Sequence, residues 1–340
     1  MKPYLSQMVF VTGATGLIGS YLLVELAKRG KKIRAMKRSG SSLDPVQKLF
    51  DDFSILDQFD AIEWVETDLL DIPSLSDSLH GIGTIYHTAG RVGFDDRQRQ
   101  ITHEVNVQGT ENLVNLAIAQ NIPEFLYISS ISVLDPSPAQ KEIDESAKWD
   151  TEKNHSEYAI SKKKGEMAVW RGSQEGLKVL VVYPSVVIGS FDGQRESERI
   201  FELASKKKMF ATPGITGYVD VRDVAFLMAE LVEKQNWNES YILSSEDKSF
   251  AEILNYLRNK WKLPEVPVLT PFQLKIIQYL SYVGRIFGGK LISPSSYSAL
   301  TGKAVYSNSK VKSETERAFI PVKEALDFHA DRFKSFKTEP

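Results

Sequence analysis

The stretch Met8-Val9-Phe10-Val11-Thr12-Gly13-Ala14-Thr15-Gly16-Leu17-Ile18-Gly19-Ser20 decides the fold. A short apolar run enters a turn with a glycine at every third position, and an apolar-periodic segment, Leu17 to Lys28, follows. This is the pattern of a buried strand, a tight turn and a helix. Gly13 permits the turn, Gly16 lets the backbone approach a pyrophosphate, and Gly19 lets the helix sit close to the sheet. The helix start then offers unpaired amides and a positive dipole end to phosphate groups.

Downstream, strand-like runs at Ile33 to Met36, Ala61 to Glu66, Thr84 to His87 and Phe125 to Ser129 alternate with helical patterns, one ending near Gln120. Repeated βαβ units of this kind build a parallel sheet with helices on both faces. A polar loop, Leu134 to Ser156, precedes a helix from Tyr158 to about Gln174 and a sixth strand, Lys178 to Tyr183. Sheet-like runs return near Tyr218 to Val221 and Tyr241 to Leu243. The expected fold class is α/β: a Rossmann-type doubly wound parallel sheet with a smaller, discontinuous C-terminal substrate lobe. Residues 1–189 and 217–245 are expected to form the dinucleotide-binding domain, and 190–216 with 246–335 the lobe. Lys334 to Pro340 is expected to fray.

The chain has 340 residues, enough for two ordinary domains or one large one with a lobe. Lys plus Arg number 42 and Asp plus Glu 44, so the net charge of -2 gives no overall field for nucleic acid and favours a small-molecule partner. The absence of cysteine excludes disulfides, thiolate zinc sites and cysteine nucleophiles, and the five histidines show no metal-ligand spacing. Residues 1–7 are too short and polar for a signal peptide. The apolar stretch Phe272 to Ile292 is interrupted by Lys275, Arg285 and Lys290, so no integral membrane segment is expected and the protein reads as cytoplasmic.

Tyr-x-x-x-Lys puts both side chains on one helical face. The motif occurs three times, as Tyr158 with Lys162, Tyr256 with Lys260, and Tyr306 with Lys310. Only the first lies between the fifth and sixth strands, on a helix aimed at the carboxyl ends of the strands, where such folds bind ligands. The others are expected to be surface pairs or chance. A phenol of pKa near 10 is ionised about one part in a thousand at pH 7, and Lys162 one turn away, with an oxidised nicotinamide, would favour its phenolate. The second strand ends Lys31-Lys32-Ile33-Arg34-Ala35-Met36-Lys37-Arg38 with no acid before Asp44. An acid there pairs with the ribose of NAD and a base with the extra phosphate of NADP, so NADP is expected, with Arg38 as first choice for the phosphate and Lys37 as second; NAD stays open.

The glycine spacing resembles the short-chain dehydrogenase/reductase superfamily, in particular its extended branch, the NAD-dependent epimerase/dehydratase family. Asp68-Leu69, Tyr86-His87-Thr88-Ala89-Gly90, Asn106-Val107-Gln108-Gly109-Thr110-Glu111-Asn112 and Tyr218-Val219-Asp220-Val221-Arg222-Asp223-Val224-Ala225 agree with it. Tyr183-Pro184-Ser185-Val186-Val187-Ile188-Gly189 is similar to the segment that lines the nicotinamide in dihydroflavonol reductase-like and 3β-hydroxysteroid dehydrogenase-like members. The likeness is good over about the first 245 residues and faint beyond.

The resemblance implies a catalytic set of Ser130, Tyr158, Lys162 and Asn106. Ser130 would hold the reacting oxygen, with Ser129 the near alternative, and Ser132 would serve the turn. Lys162 would also bond the nicotinamide ribose, and Asn106 would support a water linking the lysine to solvent or else serve the fold. Cofactor contacts are implied at Gly13, Thr15, Gly16, Leu17, Ile18, Gly19, Asp68, Leu69, Thr88, Ala89, Gly90, Ser129, Tyr158, Lys162, Pro184, Ser185 and Val187, besides Lys37 and Arg38. His87 reads as structural, and nothing requires His155. The asparagine with which many relatives hold a sugar nucleotide is absent near Pro184, as is the Asp-Glu pair of 4,6-dehydratases, since Ile131 and Ser132 follow Ser130.

The implied function is hydride transfer between a nicotinamide and a carbonyl or alcohol substrate, with Tyr158 as general acid or base. The alternatives are a nucleoside-diphosphate-sugar epimerase or dehydratase working through a transient ketone, and a non-catalytic NADP-binding sensor. A homodimer paired through the two long helices flanking the site is implied by relatives. Ile276, Ile277, Leu280, Val283, Gly284 and Phe287 fall on one helical stripe, which is expected to bury itself in the lobe, line an apolar substrate pocket, or meet a membrane surface or second subunit.

Overall fold

A computed structural model describes residues 8–92, 99–137, 141–193, 198–207, 209–285 and 294–338. Its strands are β1 (Met8–Thr12), β2 (Ile33–Lys37), β3 (Glu63–Glu66), β4 (Ile82–His87), β5 (Glu124–Ile128), β6 (Lys178–Pro184), β7 (Val186–Ile188), β8 (Ile215–Asp220), β9 (Glu239–Leu243) and β10 (Glu246–Ser249). Seven of them form one parallel sheet in the order β3-β2-β1-β4-β5-β6-β9. The chain winds outward from β1 in one direction and from β4 in the other, which puts a topological switch point between those two strands. The fold is the doubly wound α/β sheet that the sequence pattern predicts.

The continuous apolar runs follow from burial on both faces. Val9 and Val11 join Leu126, Ile128, Leu180 and Val182 in one core, under the helices Leu17–Lys28 and Val221–Lys234. Phe10, Phe125, Tyr127, Val179 and Val181 join the other, under Gly109–Ala119 and Glu157–Gln174. A third core, including Phe201, Leu254, Leu257, Leu326 and Phe333, belongs to the C-terminal region and reaches Tyr218 on β8.

Two expectations need correction, for the run near Tyr218 and for burial of the Pro271–Arg285 stripe in the lobe. The run near Tyr218 forms β8, but β8 pairs with β7 and β10 in a separate three-stranded sheet, and Val221 already begins a helix whose N-cap is Asp220. The C-terminal helix, Val322–Thr338, includes Lys334 to Thr338, and Glu339 and Pro340 lie outside the described residues. In the helix Pro271–Arg285 the apolar side faces outward: Leu274 is buried, whereas Ile276, Ile277 and Leu280 are exposed. The side chains of Val283 and Gly284, and Phe287 altogether, lie outside the described residues. Among the described residues no helix is long and apolar enough to cross a membrane.

Candidate active site

Because β1, β2, β4, β5 and β6 are parallel, their carboxyl ends deliver Gly13, Arg38, Thr88, Ser129 and Ser185 to one edge of the sheet. At the switch point the turn after β1 is packed tightly against the loop after β4. Gly13 has φ +66°, and a Cβ there would lie 2.7 Å from the Ala89 backbone. A Cβ on Gly19 would overlap the Gly13 carbonyl and come 2.9 Å from Thr88 Oγ1, so its smallness serves the turn itself more than the helix-to-sheet packing. Gly16 caps the Leu17–Lys28 helix with no side-chain hydrogen bond and no acid in the first turn. The helix start is therefore left with amide donors and a positive dipole end, the donor set a pyrophosphate fits. Thr15 and Ile18 are partly exposed and Leu17 is buried. A Cβ on Gly189 would lie 2.7 Å from Leu17 Cδ2, which brings the end of the Pro184–Gly189 segment up to the glycine turn.

His87 joins these parts as a neutral ring. Its Nδ1 lies 2.7 Å from Thr12 Oγ1 and its Nε2 2.9 Å from Thr110 Oγ1. Thr110 donates to the Asn106 carbonyl at 2.8 Å, and the Ala89 amide donates to Thr12 Oγ1 at 3.2 Å. This bookkeeping assigns the proton to Nε2 and leaves Nδ1 accepting from Thr12. Burial, with Lys162 nearby, pushes the His87 pKa down to about 3, so it is a structural bridge and no base at neutral pH.

The Ser130 hydroxyl lies close enough to the Tyr158 phenol to act on its ionisation. The Ser132 amide donates to Ser130 Oγ at 3.2 Å, so the Ser130 hydroxyl proton is left to point at the phenol or at a substrate oxygen. It is the Ser132 amide, not its hydroxyl, that holds this turn. Ser129 faces elsewhere: it is buried and donates to Glu166 Oε2 at 2.7 Å. Burial raises the Tyr158 pKa, and the nearby Ser130 hydroxyl works against that rise. Lys162 is buried, 4% exposed, with Nζ donating to the Ile128 carbonyl at 2.5 Å and sitting 4.5 Å from the Tyr127 ring centroid. Burial lowers its pKa to about 7, and Glu166 pulls the other way. In this geometry the ammonium serves the strand end and the Tyr127 face, and Ser130 is the group that favours the phenolate.

Asn106 stands in a π-helical turn, Glu104–Gln108, between Arg99–His103 and Gly109–Ala119. Its Oδ1 accepts from the Arg91 amide at 2.7 Å, and its Nδ2 donates to the Arg91 carbonyl and to Ser161 Oγ, each at 2.9 Å. The side chain thus ties the loop after β4 to the Tyr158 helix. A Cβ on Gly90 would lie 3.6 Å from both Asn106 Oδ1 and Lys162 Nζ, so this loop meets the catalytic candidates.

The remaining positions differ in availability. Lys37 pairs with Glu66 across β2 and β3 at 2.8 Å, whereas Arg38 is exposed and no side-chain partner is found for it among the described residues. Asp68 is exposed, with Oδ1 accepting from the Leu70 amide at 2.9 Å; Leu69 is buried and its carbonyl accepts from Asn112 at 3.0 Å. Pro184 and Ser185 are buried, with Ser185 bonded to the Leu243 carbonyl, and Val187 is half-buried. The other two Tyr-x-x-x-Lys pairs bind acids away from this edge: Tyr256 and Lys260 hold Asp327, and Lys310 holds Glu239. His155 stacks on Trp149 and bonds Asp135 at 2.9 Å.

Sequence reasoning missed Glu166. It is buried at 2% exposure among Ser129, Lys163 and Tyr183. The signal was present as Tyr158-x-x-x-Lys162-x-x-x-Glu166, three residues on one helical stripe.

Residues 9–243 match the model of the NAD dependent epimerase/dehydratase family. The chain is 29% identical over 266 residues to the sterol demethylase protein B of Methylococcus capsulatus, covering 78% of this chain and 77% of that one. It is 27% identical over 296 residues to dihydroflavonol 4-reductase of Arabidopsis thaliana, covering 81% and 76%. The solved structure of gox2253 superposes with a TM-score of 0.82 at 24% identity, over 97% of this chain and 98% of that one. With the glycine turn at the switch point and this match over most of its length, the chain belongs to the NAD dependent epimerase/dehydratase family.

Proposed function

We propose that the chain is an NADP-dependent reductase or dehydrogenase that moves a hydride between the nicotinamide and a carbonyl or alcohol carbon. The observation that carries the reading is the meeting of Ser130, Tyr158 and Lys162 at the sheet edge that also carries the open helix start at Gly16. Gly13, Gly16 and Gly19 would hold the pyrophosphate, and Arg38 the 2′-phosphate. The bound cofactor supplies or accepts the hydride. Ser130 donates to the reacting oxygen, and Tyr158 passes its proton to that oxygen or takes it back. Lys162, with a pKa near neutrality, would hold the nicotinamide ribose. Residues 1–189 and 217–245 would form the cofactor domain and the rest the substrate lobe.

The test is turnover of a ketone panel with NADPH. Net consumption of NADPH, lost about a thousandfold in Tyr158→Phe, is the expected result. Turnover of a sugar nucleotide with the cofactor returned unchanged would instead identify an epimerase or dehydratase using the same three residues. Equal rates for Tyr158→Phe and the native chain would remove the phenol from the mechanism.

A further inference from the structure

Glu166 is a buried group that hydride transfer, as assigned above, does not use. Among the described residues three donors reach its carboxylate: Ser129 Oγ at 2.7 Å from Oε2, and Lys163 Nζ at 2.9 Å and the Tyr183 hydroxyl at 3.3 Å from Oε1. Desolvating a carboxylate is costly and its partners do little more than offset that cost, so a bonded set of this kind is weak evidence for a stabilising role. What the bonds do is mechanical. They tie the helix Glu157–Gln174 to the end of β5 through Ser129 and to β6 through Tyr183.

The ties follow β5 residue by residue. Lys162 Nζ donates to the Ile128 carbonyl, Glu166 accepts from Ser129, and the next hydroxyl, Ser130, lies beside the Tyr158 phenol. Tyr158, Lys162 and Glu166 share one helical stripe, so three consecutive positions at the strand end meet three successive turns of one helix. The ladder with β6 stops at this point: its register ends with Ile128 opposite Val182, and the Ser129 amide donates to the Val182 carbonyl at 2.8 Å. Ser130 is extended, with φ -161° and ψ 149°, and consecutive side chains on extended backbone alternate. Holding the Ser129 hydroxyl toward Glu166 therefore sets the facing of Ser130, since a slip of one residue would exchange the two hydroxyls.

We propose that Glu166 is a positioning residue: by accepting from Ser129 it fixes the end of β5 so that Ser130 presents its hydroxyl beside the Tyr158 phenol. This rests on the assignment of Ser130 and Tyr158 to the reacting oxygen. Glutamine and methionine both match glutamate in length, but glutamine keeps an acceptor for Ser129 and methionine offers only a weak one. The assay is NADPH consumption with the ketone that the native chain turns over best, on variants whose thermal unfolding midpoints lie well above the assay temperature. Glu166→Gln should keep kcat within about threefold of native, whereas Glu166→Met should lower it at least about tenfold with the KM for NADPH within about threefold. Ser129→Ala should lower kcat by about the same factor, and adding it to Glu166→Met should cost no more than the larger single loss, because both cut one link. If Glu166→Met does not fold, Ser129→Ala carries the test. Native kcat in folded Glu166→Met or Ser129→Ala, beside an inactive Tyr158→Phe, overturns the positioning role and leaves the reductase standing. So does a loss in Glu166→Gln as large as in Glu166→Met, which would place the role in the charge. A native chain that consumes no NADPH with any ketone is no reductase; the same variants are then read on sugar-nucleotide turnover, which uses the same three residues, and absence of that turnover too overturns the positioning role together with the enzyme assignment.

Discussion

Lys162→Met should change the pH dependence of stability in a way that isolates one buried ammonium. In the native chain burial takes the lysine from an ordinary pKa near 10.5 to about 7. The unfolded chain therefore holds one more proton than the folded one between about pH 7 and 10.5, and stability rises with pH across that window. Below pH 7 both states are protonated and the full penalty of burying the charge is present. Each pH unit inside the window is worth about 1.4 kcal/mol, so from pH 6 to pH 9 the native chain should gain roughly 2.5 kcal/mol relative to Lys162→Met. Methionine keeps much of the stem volume and has no proton to lose, and the other titrating groups are common to both proteins. Urea unfolding of both at pH 6, 7, 8 and 9 gives the difference directly. A difference that stays flat within about 0.5 kcal/mol would refute the assignment of Lys162 as a buried, depressed group.

Gly19→Ala should lower NADPH affinity at least about tenfold in a fluorescence titration, because its methyl would overlap the Gly13 carbonyl and force the turn open. Arg38→Ala should raise the KM for NADPH about tenfold and leave that for NADH nearly unchanged; equal effects on both would move the phosphate contact elsewhere. Ser130→Ala should lower kcat about a hundredfold with little effect on stability, whereas Ser129→Ala should lower stability by about 1–2 kcal/mol in denaturant titrations through the donor lost at Glu166.

The parts of the fold legible in the sequence are those set by local pattern and two-sided burial. The strand into Gly13 and the runs that become β4, β5 and β6 are apolar on both faces, so neighbours could not disguise them. Tyr158 and Lys162 were legible because helical spacing fixes their relation before any tertiary contact forms. What distant contacts decide was hidden. Lys37 is paired because the β2 to β3 register sets it opposite Glu66. Ser129 and Ser130 part company because Glu166, on a later helix, claims the first hydroxyl. The Pro271–Arg285 pattern revealed a stripe but not its direction, since periodicity is the same whichever side meets the protein.

The π-helical turn at Glu104–Gln108 sets a rule for heredity in this region. It holds one residue more than an α-turn spanning the same gap. Deleting any one of the four residues other than Asn106 would restore ordinary winding across the same gap and take Asn106 out of its place in the bulge. Asn106 would then lose Arg91 and Ser161 together. Surface loops absorb such insertions and deletions readily, but here a frame of five works as a tally mark, and a chimera crossing this helix must inherit the odd residue intact.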